Sequence, residues 1–131
     1  MTTLQPIEAW FEAQGWTPLP FQRRCWQAYL EGQSGLIQVP TGSGKTFAAV
    51  MGPIARMLAE SPAPKGLRLL YITPLRALSR DLALAISEPI EAMGWPLRVG
   101  IRNGDSSSTE RSKQLKVPPH ILITTPESLT L

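Results

Sequence analysis

A glycine-rich turn between two apolar segments constrains the fold of this chain more than any other feature. The turn is PTGSGKT, residues 40–46, and it lies between the short apolar run GLIQV and a helical pattern over 45–59. Gly42 and Gly44 allow the backbone to curl so that successive N–H groups point into one concavity, which the positive end of the helix also faces. A strand over 35–39, a glycine-rich turn and a helix in this order predict a phosphate-binding loop.

Four side chains of the turn have the chemistry that such a loop requires. Lys45 is a compact cation that can reach the β- and γ-phosphates of ATP, and the Thr46 hydroxyl can bind the Mg²⁺ that bridges them. Both are therefore predicted to be catalytic, while Thr41 and Ser43 would shape the loop and donate to phosphate. The strict motif has glycine at the position of Val39, so the match is incomplete. The alternative is a tight turn with an exposed lysine.

The remaining sequence alternates between strand and helix patterns. Helices are predicted around residues 7–11 and over 20–31, and each is stopped by a glycine. Because strands that alternate with helices form βαβ units, an α/β fold with a mainly parallel sheet flanked by helices is predicted. Strands are predicted over 35–39, 67–73, 97–101 and 120–124, and helices over 45–59, 74–93 and 109–116 and from 126.

The carboxyl ends of parallel strands meet at one edge of a sheet, and ligands bind there. Thr73-Pro74 and Thr124-Thr125-Pro126 follow two of the predicted strands, so they are expected at that edge together with the glycine-rich turn. Pro126 is expected in the first turn of the last helix, with Thr125 as its N-cap.

Composition narrows the class of protein. One cysteine among 131 residues excludes an internal disulfide framework and leaves too few thiols for a zinc ribbon. No apolar run approaches the roughly 20 residues of a membrane span, and the first residues lack the basic region of an export signal. We therefore expect a cytoplasmic protein without a membrane partner. The net charge of +3 arises within residues 65–131, which weakly indicates a polyanionic partner, although solvated faces explain most such excesses.

The motifs resemble, in order and spacing, those of superfamily 2 helicases. PTGSGKT resembles motif I, Phe21-Gln22 the Q motif, TPLRALSRD over 73–81 motif Ia, and TTPESL over 124–129 motif Ib. Together they are most similar to the large helicase-related (Lhr) group of DExH-box helicases, the ligase-associated type in particular. The resemblance implies an incomplete RecA-like P-loop NTPase lobe. It comprises a helical N-terminal extension over 1–34 and part of the ATP-binding domain over 35–131.

The resemblance also implies roles for individual residues. Gln22 would read the adenine edge, for which its amide has both a donor and an acceptor, and the alternative is a solvated helix glutamine. Trp16 or Phe11 could stack on the base. Glu127 is expected to cap its own helix rather than to touch an anion. The predicted ATP-binding residues are Gln22, Thr41, Gly42, Ser43, Gly44, Lys45 and Thr46, with Mg²⁺ on Thr46, and the predicted nucleic-acid contacts are Thr73, Pro74, Arg76, Gly104, Thr124 and Thr125.

The implied function is the N-terminal part of an ATP-dependent DNA helicase that acts on single-stranded or partly duplex DNA in repair. The ligase-associated resemblance implies a DNA ligase and a nuclease of the same pathway as partners. No Asp-Glu-x-His box occurs in the sequence, so this stretch alone is expected to bind nucleotide weakly and to hydrolyse it negligibly. Two alternatives remain: a P-loop nucleotide kinase or other nucleotide-binding enzyme, and a non-catalytic nucleic-acid-binding module.

Overall fold

The computed structural model describes residues 3–40, 44–60, 64–103 and 106–129. The chain divides into two compact units, Met1–Ala63 and Pro64–Leu131. The predicted division at residues 34 and 35 follows sequence motifs rather than packing, and it stays a prediction. No helix of the described ranges is long and apolar enough to cross a membrane.

The first unit consists of three helices. They are α1 (Gln5–Ala13), α2 (Pro20–Leu30) and α3 (Lys45–Ala59), which confirms the predicted helices. Proline in the first turn favours the starts of α1 and α2, because its missing N–H would have no partner there. Gly32 ends α2 with a φ of +85°, which is a left-handed conformation that glycine adopts without strain.

An aromatic cluster fills the interior of this unit. Trp10 and Phe11 of α1, Trp26 of α2 and Phe47 of α3 pack edge to face, with Trp16 at the margin. Trp26 is fully buried, and its Nε1–H donates to the carbonyl of Phe47 at 2.8 Å. The cluster therefore fixes the first turn of α3 against the two preceding helices.

The strand predicted over 35–39 is wrong. These residues have no regular secondary structure, and the Leu36 side chain is 87% exposed. A short apolar run forms a strand only where another strand supplies hydrogen-bond partners for its backbone. In the described part of the chain, all strands of the sheet come from the second unit and pair with one another.

The second unit is a three-stranded parallel sheet flanked by helices, which confirms the predicted α/β class. The strand order is β1-β3-β2, and residues Ile72, Thr124 and Arg102 lie opposite one another at the carboxyl ends. α4 packs on β2 and β3, and its Ile86 and Ile90 are buried. The elements in chain order are β1 (Leu69–Ile72), α4 (Arg76–Met93), β2 (Val99–Arg102), α5 (Ser108–Lys116), β3 (Ile121–Thr124) and α6 (Pro126–Leu129).

The start of α4 differs from the prediction. Pro74 was expected in its first turn, but the helix begins at Arg76 and the N-cap residue Leu75 is extended. The reason is that the Thr73 N–H still donates to the Thr124 carbonyl at 2.9 Å, so strand pairing continues through residue 73. The chain needs two further residues to turn away from the sheet, and Pro74 lies in that turn.

His120 holds together the opposite, amino-terminal edge of the sheet. The side chain is 2% exposed, its Nδ1 accepts from the Arg98 backbone N–H at 2.9 Å, and its Nε2 lies 2.9 Å from the Pro64 carbonyl. A carbonyl can only accept, so Nε2 carries the proton and donates. Both ring nitrogens therefore form hydrogen bonds that stabilise this edge of the sheet.

Candidate nucleotide and nucleic-acid sites

The end of the glycine-rich turn has the geometry of a helix N-terminus. Gly44 is the N-cap of α3 with φ +82° and ψ +26°, and Lys45 and Thr46 are the first two helical residues, both half-buried. The Gly44 carbonyl accepts from the Ala48 N–H at 3.1 Å, which closes the first helical turn. The N–H groups of residues 45–47 precede that bond and have no carbonyl partner within the helix. Thr41, Gly42 and Ser43 lie outside the described residues.

Gln22 connects α2 to this helix start. Its side chain is 4% exposed, Oε1 accepts from the Leu19 N–H at 2.8 Å, and Nε2 donates to the Gly44 carbonyl at 3.1 Å. A Cβ on residue 44 would lie 2.6 Å from that Nε2, so any other residue would displace the Gln22 amide, and the positive φ also favours glycine. The alternative of a solvated glutamine is wrong, because the amide is buried and bonded. Its contact with adenine stays a prediction.

The two aromatic candidates for base stacking differ in exposure. Phe11 is 3% exposed and packs inside the aromatic cluster, whereas Trp16 is 50% exposed. A base can reach a ring face only where that face is not already covered. Trp16 is therefore the better candidate of the two.

The second unit brings the predicted motif Ia and motif Ib residues together at the carboxyl edge of the sheet. Thr73 and Thr125 directly follow the paired residues Ile72 and Thr124, which confirms that they share an edge. The Thr124 hydroxyl donates to the Arg102 carbonyl at 2.6 Å, and the hydroxyls of Thr125 and Ser128 are 3.2 Å apart. All three threonines are nearly fully buried, so their hydroxyls shape the edge before any ligand binds.

Exposed groups surround these threonines. Pro74 and Arg76 are exposed at the start of α4, and Gly104 lies outside the described residues. A cleft of about 530 Å³ is lined by Arg76 and Arg80 on α4 and by Asn103 and Ser106 after β2. Ser106 is not among the site residues predicted above. The run of asparagine, aspartate and serine after the third predicted strand is typical of a side-chain-bonded turn and could have indicated it.

Ser106 closes the loop after β2. Its Oγ accepts from the Asn103 N–H at 3.0 Å and lies 3.3 Å from the Ile101 carbonyl, and Arg111 donates to the Asn103 carbonyl at 3.2 Å. These bonds hold the residues after β2 that line the cleft, and Arg76, Arg80 and Asp81 of α4 line it as well.

The pKa of the Glu127 carboxyl is lowered from its ordinary value in the folded protein. Its own backbone N–H lowers the pKa of the carboxyl most, the Thr125 hydroxyl lowers it further, and the positive charge of Arg76 makes a smaller contribution in the same direction. The prediction that Glu127 caps its own helix agrees with these first two causes. The side chain remains exposed at the edge that holds motifs Ia and Ib.

Residues 19–131 match the DEAD/DEAH box helicase family. The chain belongs to this family. Membership implies the use of ATP, and the structural neighbours confirm the RecA-like fold expected from the resemblance. One of those neighbours, a hypothetical ATP-dependent RNA helicase from Sulfolobus tokodaii, has a TM-score of 0.75 at 22% identity, and it supports the fold alone.

Curated relatives of this DEAD/DEAH box helicase chain confirm the predicted resemblance to the Lhr group. ATP-dependent helicase Lhr-Core protein 2 of Thermococcus barophilus is 39% identical over 139 residues, with 96% of this chain and 16% of the relative covered. Lhr helicase/uracil glycosylase of Escherichia coli is 37% identical, with 93% of this chain and 9% of the relative covered. The chain thus spans about a sixth of these relatives' length or less.

Two solved helicases have a similar structure. Mycobacterium smegmatis helicase Lhr, solved with ssDNA and AMP-PNP, has a TM-score of 0.82 at 36% identity over 98% of this chain and 18% of its own. The helicase MrfA, solved with DNA and AMPPNP, has a TM-score of 0.81 at 28% identity over 95% of this chain and 17% of its own.

Proposed function

We propose that this chain binds ATP and the nucleic-acid backbone in an ATP-dependent DNA helicase that translocates on single-stranded DNA. The observation that carries the proposal is the start of α3. A left-handed glycine, held by the buried Gln22 amide, precedes a lysine and a threonine whose backbone N–H groups have no helical partner. Such an arrangement favours a polyphosphate.

The residues at this helix start fit a nucleotide with Mg²⁺. The Lys45 ammonium would neutralise charge on the β- and γ-phosphates, and the Thr46 hydroxyl is an oxygen donor of the kind that Mg²⁺ prefers. Bound Mg²⁺ would supply charge that stabilises the leaving phosphates. Thr41, Gly42, Ser43 and Gly44 would contribute backbone N–H groups. Gln22 would hold the end of the loop against α2 through its bond to the Gly44 carbonyl. This role does not depend on whether the second N–H of its amide also donates to adenine.

The carboxyl edge of the second unit would bind the strand through its backbone. Arg76 offers a charge, and Thr73, Pro74, Thr124 and Thr125 shape the surface beside it, with Gly104 in the neighbouring loop. Contacts of this kind reach phosphate and sugar rather than base edges, so binding should depend little on sequence. If four phosphates are neutralised, the salt slope is roughly −2.8, and affinity falls about fiftyfold between roughly 50 and 200 mM salt.

The proposal also includes a cellular role in DNA repair. We infer from the ligase-associated resemblance a cytoplasmic DNA-repair helicase that works with a DNA ligase and a nuclease. The Lhr and MrfA complexes with DNA support DNA as the nucleic acid, by analogy with those proteins. The stretch alone is proposed to be inactive in hydrolysis, since no Asp-Glu-x-His box occurs in its sequence.

The test is ATP hydrolysis by the full-length protein with and without single-stranded DNA. Lys45→Ala should lower the DNA-stimulated rate by about 100-fold or more, because the cation that would stabilise negative charge on the transferred phosphate is lost. Lys65→Ala, which removes an exposed lysine from the other unit, is the matched control and should leave the rate unchanged. Hydrolysis that survives Lys45→Ala would overturn the proposal, and phosphate transfer to a small acceptor would favour a kinase.

A further inference from the structure

Arg102 ends β2 at the same edge of the sheet as the threonines of motifs Ia and Ib. It lies opposite Thr124 of β3, and its carbonyl accepts from the Thr124 hydroxyl at 2.6 Å. Because β3 is the central strand of the order β1-β3-β2, the carboxyl ends of the three strands lie in one row. Arg102 is at one end of this row, and Thr73, which follows β1, is at the other.

The Arg102 side chain extends from the sheet face that α5 covers. Alternate residues of a strand share a face, so Arg102 and Gly100 point to the same side. A Cβ on Gly100 would lie 2.9 Å from the Pro119 side chain and 3.4 Å from Gln114 Nε2 of α5, so this face is closely packed. The Arg102 Nε is enclosed accordingly, but its two terminal nitrogens are not, and the side chain as a whole is partly exposed.

This guanidinium lacks an anionic partner within the described part of the chain. There, Arg102 forms no ion pair, and its Nε has no hydrogen-bond partner. A second cation lies beside it, because Arg111 of α5 donates to the carbonyl of Asn103, the next residue, at 3.2 Å. A partly buried cation loses hydration that no ion pair restores. A ligand with negatively charged oxygens would supply the missing partner.

We propose that Arg102 binds a phosphate of the DNA strand and thereby extends the strand-binding edge from β1 and β3 to β2. The inference rests on the proposed function, in which Thr73, Thr124 and their neighbours contact the DNA backbone. Arg111 positions the loop after β2 through its bond to Asn103, and its charge adds to the positive potential beside Arg102. The planar guanidinium matches phosphate oxygens, so the contact is independent of base sequence.

The experiment measures the affinity of the full-length protein for labelled oligo-dT and oligo-dA by fluorescence anisotropy, between roughly 50 and 200 mM salt. Arg102→Met keeps an unbranched apolar stem and removes the charge. The salt slope should become shallower by about 0.7, and binding should weaken about fivefold at roughly 100 mM salt, which is the counterion-release contribution of one phosphate. Both oligonucleotides should lose affinity by the same factor, whereas Arg102→Lys should keep the wild-type slope.

Arg98→Met is the matched control. Arg98 directly precedes β2 at the amino-terminal edge of the sheet, is exposed, and donates to the Pro118 carbonyl at 3.1 Å. The substitution removes the same charge from the opposite end of the same strand, so the salt slope should remain that of the wild type. An equally shallow slope in Arg98→Met and Arg102→Met would overturn the proposal, because it would indicate a general effect of net charge.

Thermal unfolding separates the loss of a contact from the loss of the fold. Arg102→Met should unfold at or above the wild-type midpoint, because methionine fills the same space without an enclosed N–H that lacks a partner. Arg102→Gln is a second uncharged variant and should show the same shallower slope. Weaker binding with an unchanged slope in both variants would show that Arg102 acts only through the fold, and the proposal would be wrong.

The phosphate contact and the proposed function fail differently. If the wild type binds both oligonucleotides and Arg102→Met binds them equally well, the contact at β2 is refuted and DNA binding by the other residues of the edge stands. If the full-length protein does not bind single-stranded DNA at all, the proposed function is refuted and the contact with it.

Discussion

Replacement of Gly44 by alanine tests whether the Gln22 amide positions the nucleotide loop. The new Cβ would lie 2.6 Å from Gln22 Nε2, at a residue whose φ is +82°. The left-handed conformation alone costs alanine about 1–2 kcal/mol. Nε2 ends a flexible side chain and can move. Moving the amide breaks the bond from Nε2 to the Gly44 carbonyl and the bond that Oε1 accepts from the Leu19 N–H, and it leaves a buried amide unpaired, at a further cost of about 1–3 kcal/mol.

Gly32→Ala is the matched control for this substitution. Gly32 has a φ of +85°, and a Cβ there would meet nothing within 4 Å, so it carries the backbone strain without the contact. In urea unfolding followed by tryptophan fluorescence, Gly32→Ala should lose about 1–2 kcal/mol and Gly44→Ala about 2–5 kcal/mol. Of these two variants, only Gly44→Ala should bind a fluorescent ATP analogue less tightly than the wild type does.

A double-mutant cycle identifies the source of the difference. With Gln22→Ala in place there is no amide to displace, so the further cost of Gly44→Ala should fall to that of Gly32→Ala. If Gly44→Ala and Gly32→Ala destabilise the protein equally, or if Gly44→Ala and Gln22→Ala are strictly additive, the Gln22 amide and the loop are not coupled.

Two further predictions concern the aromatic cluster and the acidic group at the sheet edge. Trp26→Phe removes the donor to the Phe47 carbonyl and should cost about 1–3 kcal/mol in urea unfolding, whereas Trp16→Phe at the half-exposed margin should cost less than about 1 kcal/mol. The pKa of Glu127 is lowered in the folded state, so its stabilising effect should be present above pH 4.5 and be lost as the pH falls through the folded-state value. Thermal midpoints of wild type and Glu127→Gln should therefore differ at pH 7 and converge in acid, and a constant difference across that range would contradict the assignment.

Local signals in the sequence predicted the helices and the strands of the second unit well. The start of α3 follows from the glycine-rich turn, and glycines end α2 and α4 as their sequence positions indicate. The two wrong predictions both depend on pairing with residues far away in the sequence. The run over 35–39 has strand composition but no paired strand among the described residues, and α4 starts late because Thr73 stays bonded to the neighbouring strand.

The sequence predicts which residues form the candidate site, but it does not predict which of them contact one another. Lysine and threonine after a glycine-rich turn indicate phosphate binding from sequence alone. The bonds from Gln22 to Gly44 and from Thr124 to Arg102 each join residues 22 positions apart, and no periodicity encodes such pairs. The sequence motifs also do not predict that the threonine hydroxyls are buried. They indicate where the strands end, but not which side chains face the interior.

The most direct test of the proposed function is whether nucleotide binding changes the affinity of the protein for single-stranded DNA. The dissociation constant of the full-length protein for oligo-dT is measured with and without a non-hydrolysable ATP analogue and Mg²⁺, for wild type and Lys45→Ala. We expect a change of at least about fivefold in the wild type and none in Lys45→Ala, because the lysine would couple nucleotide binding to the strand. An unchanged strand affinity in the wild type, under conditions where the analogue itself binds, would contradict the proposed ATP-dependent action on single-stranded DNA.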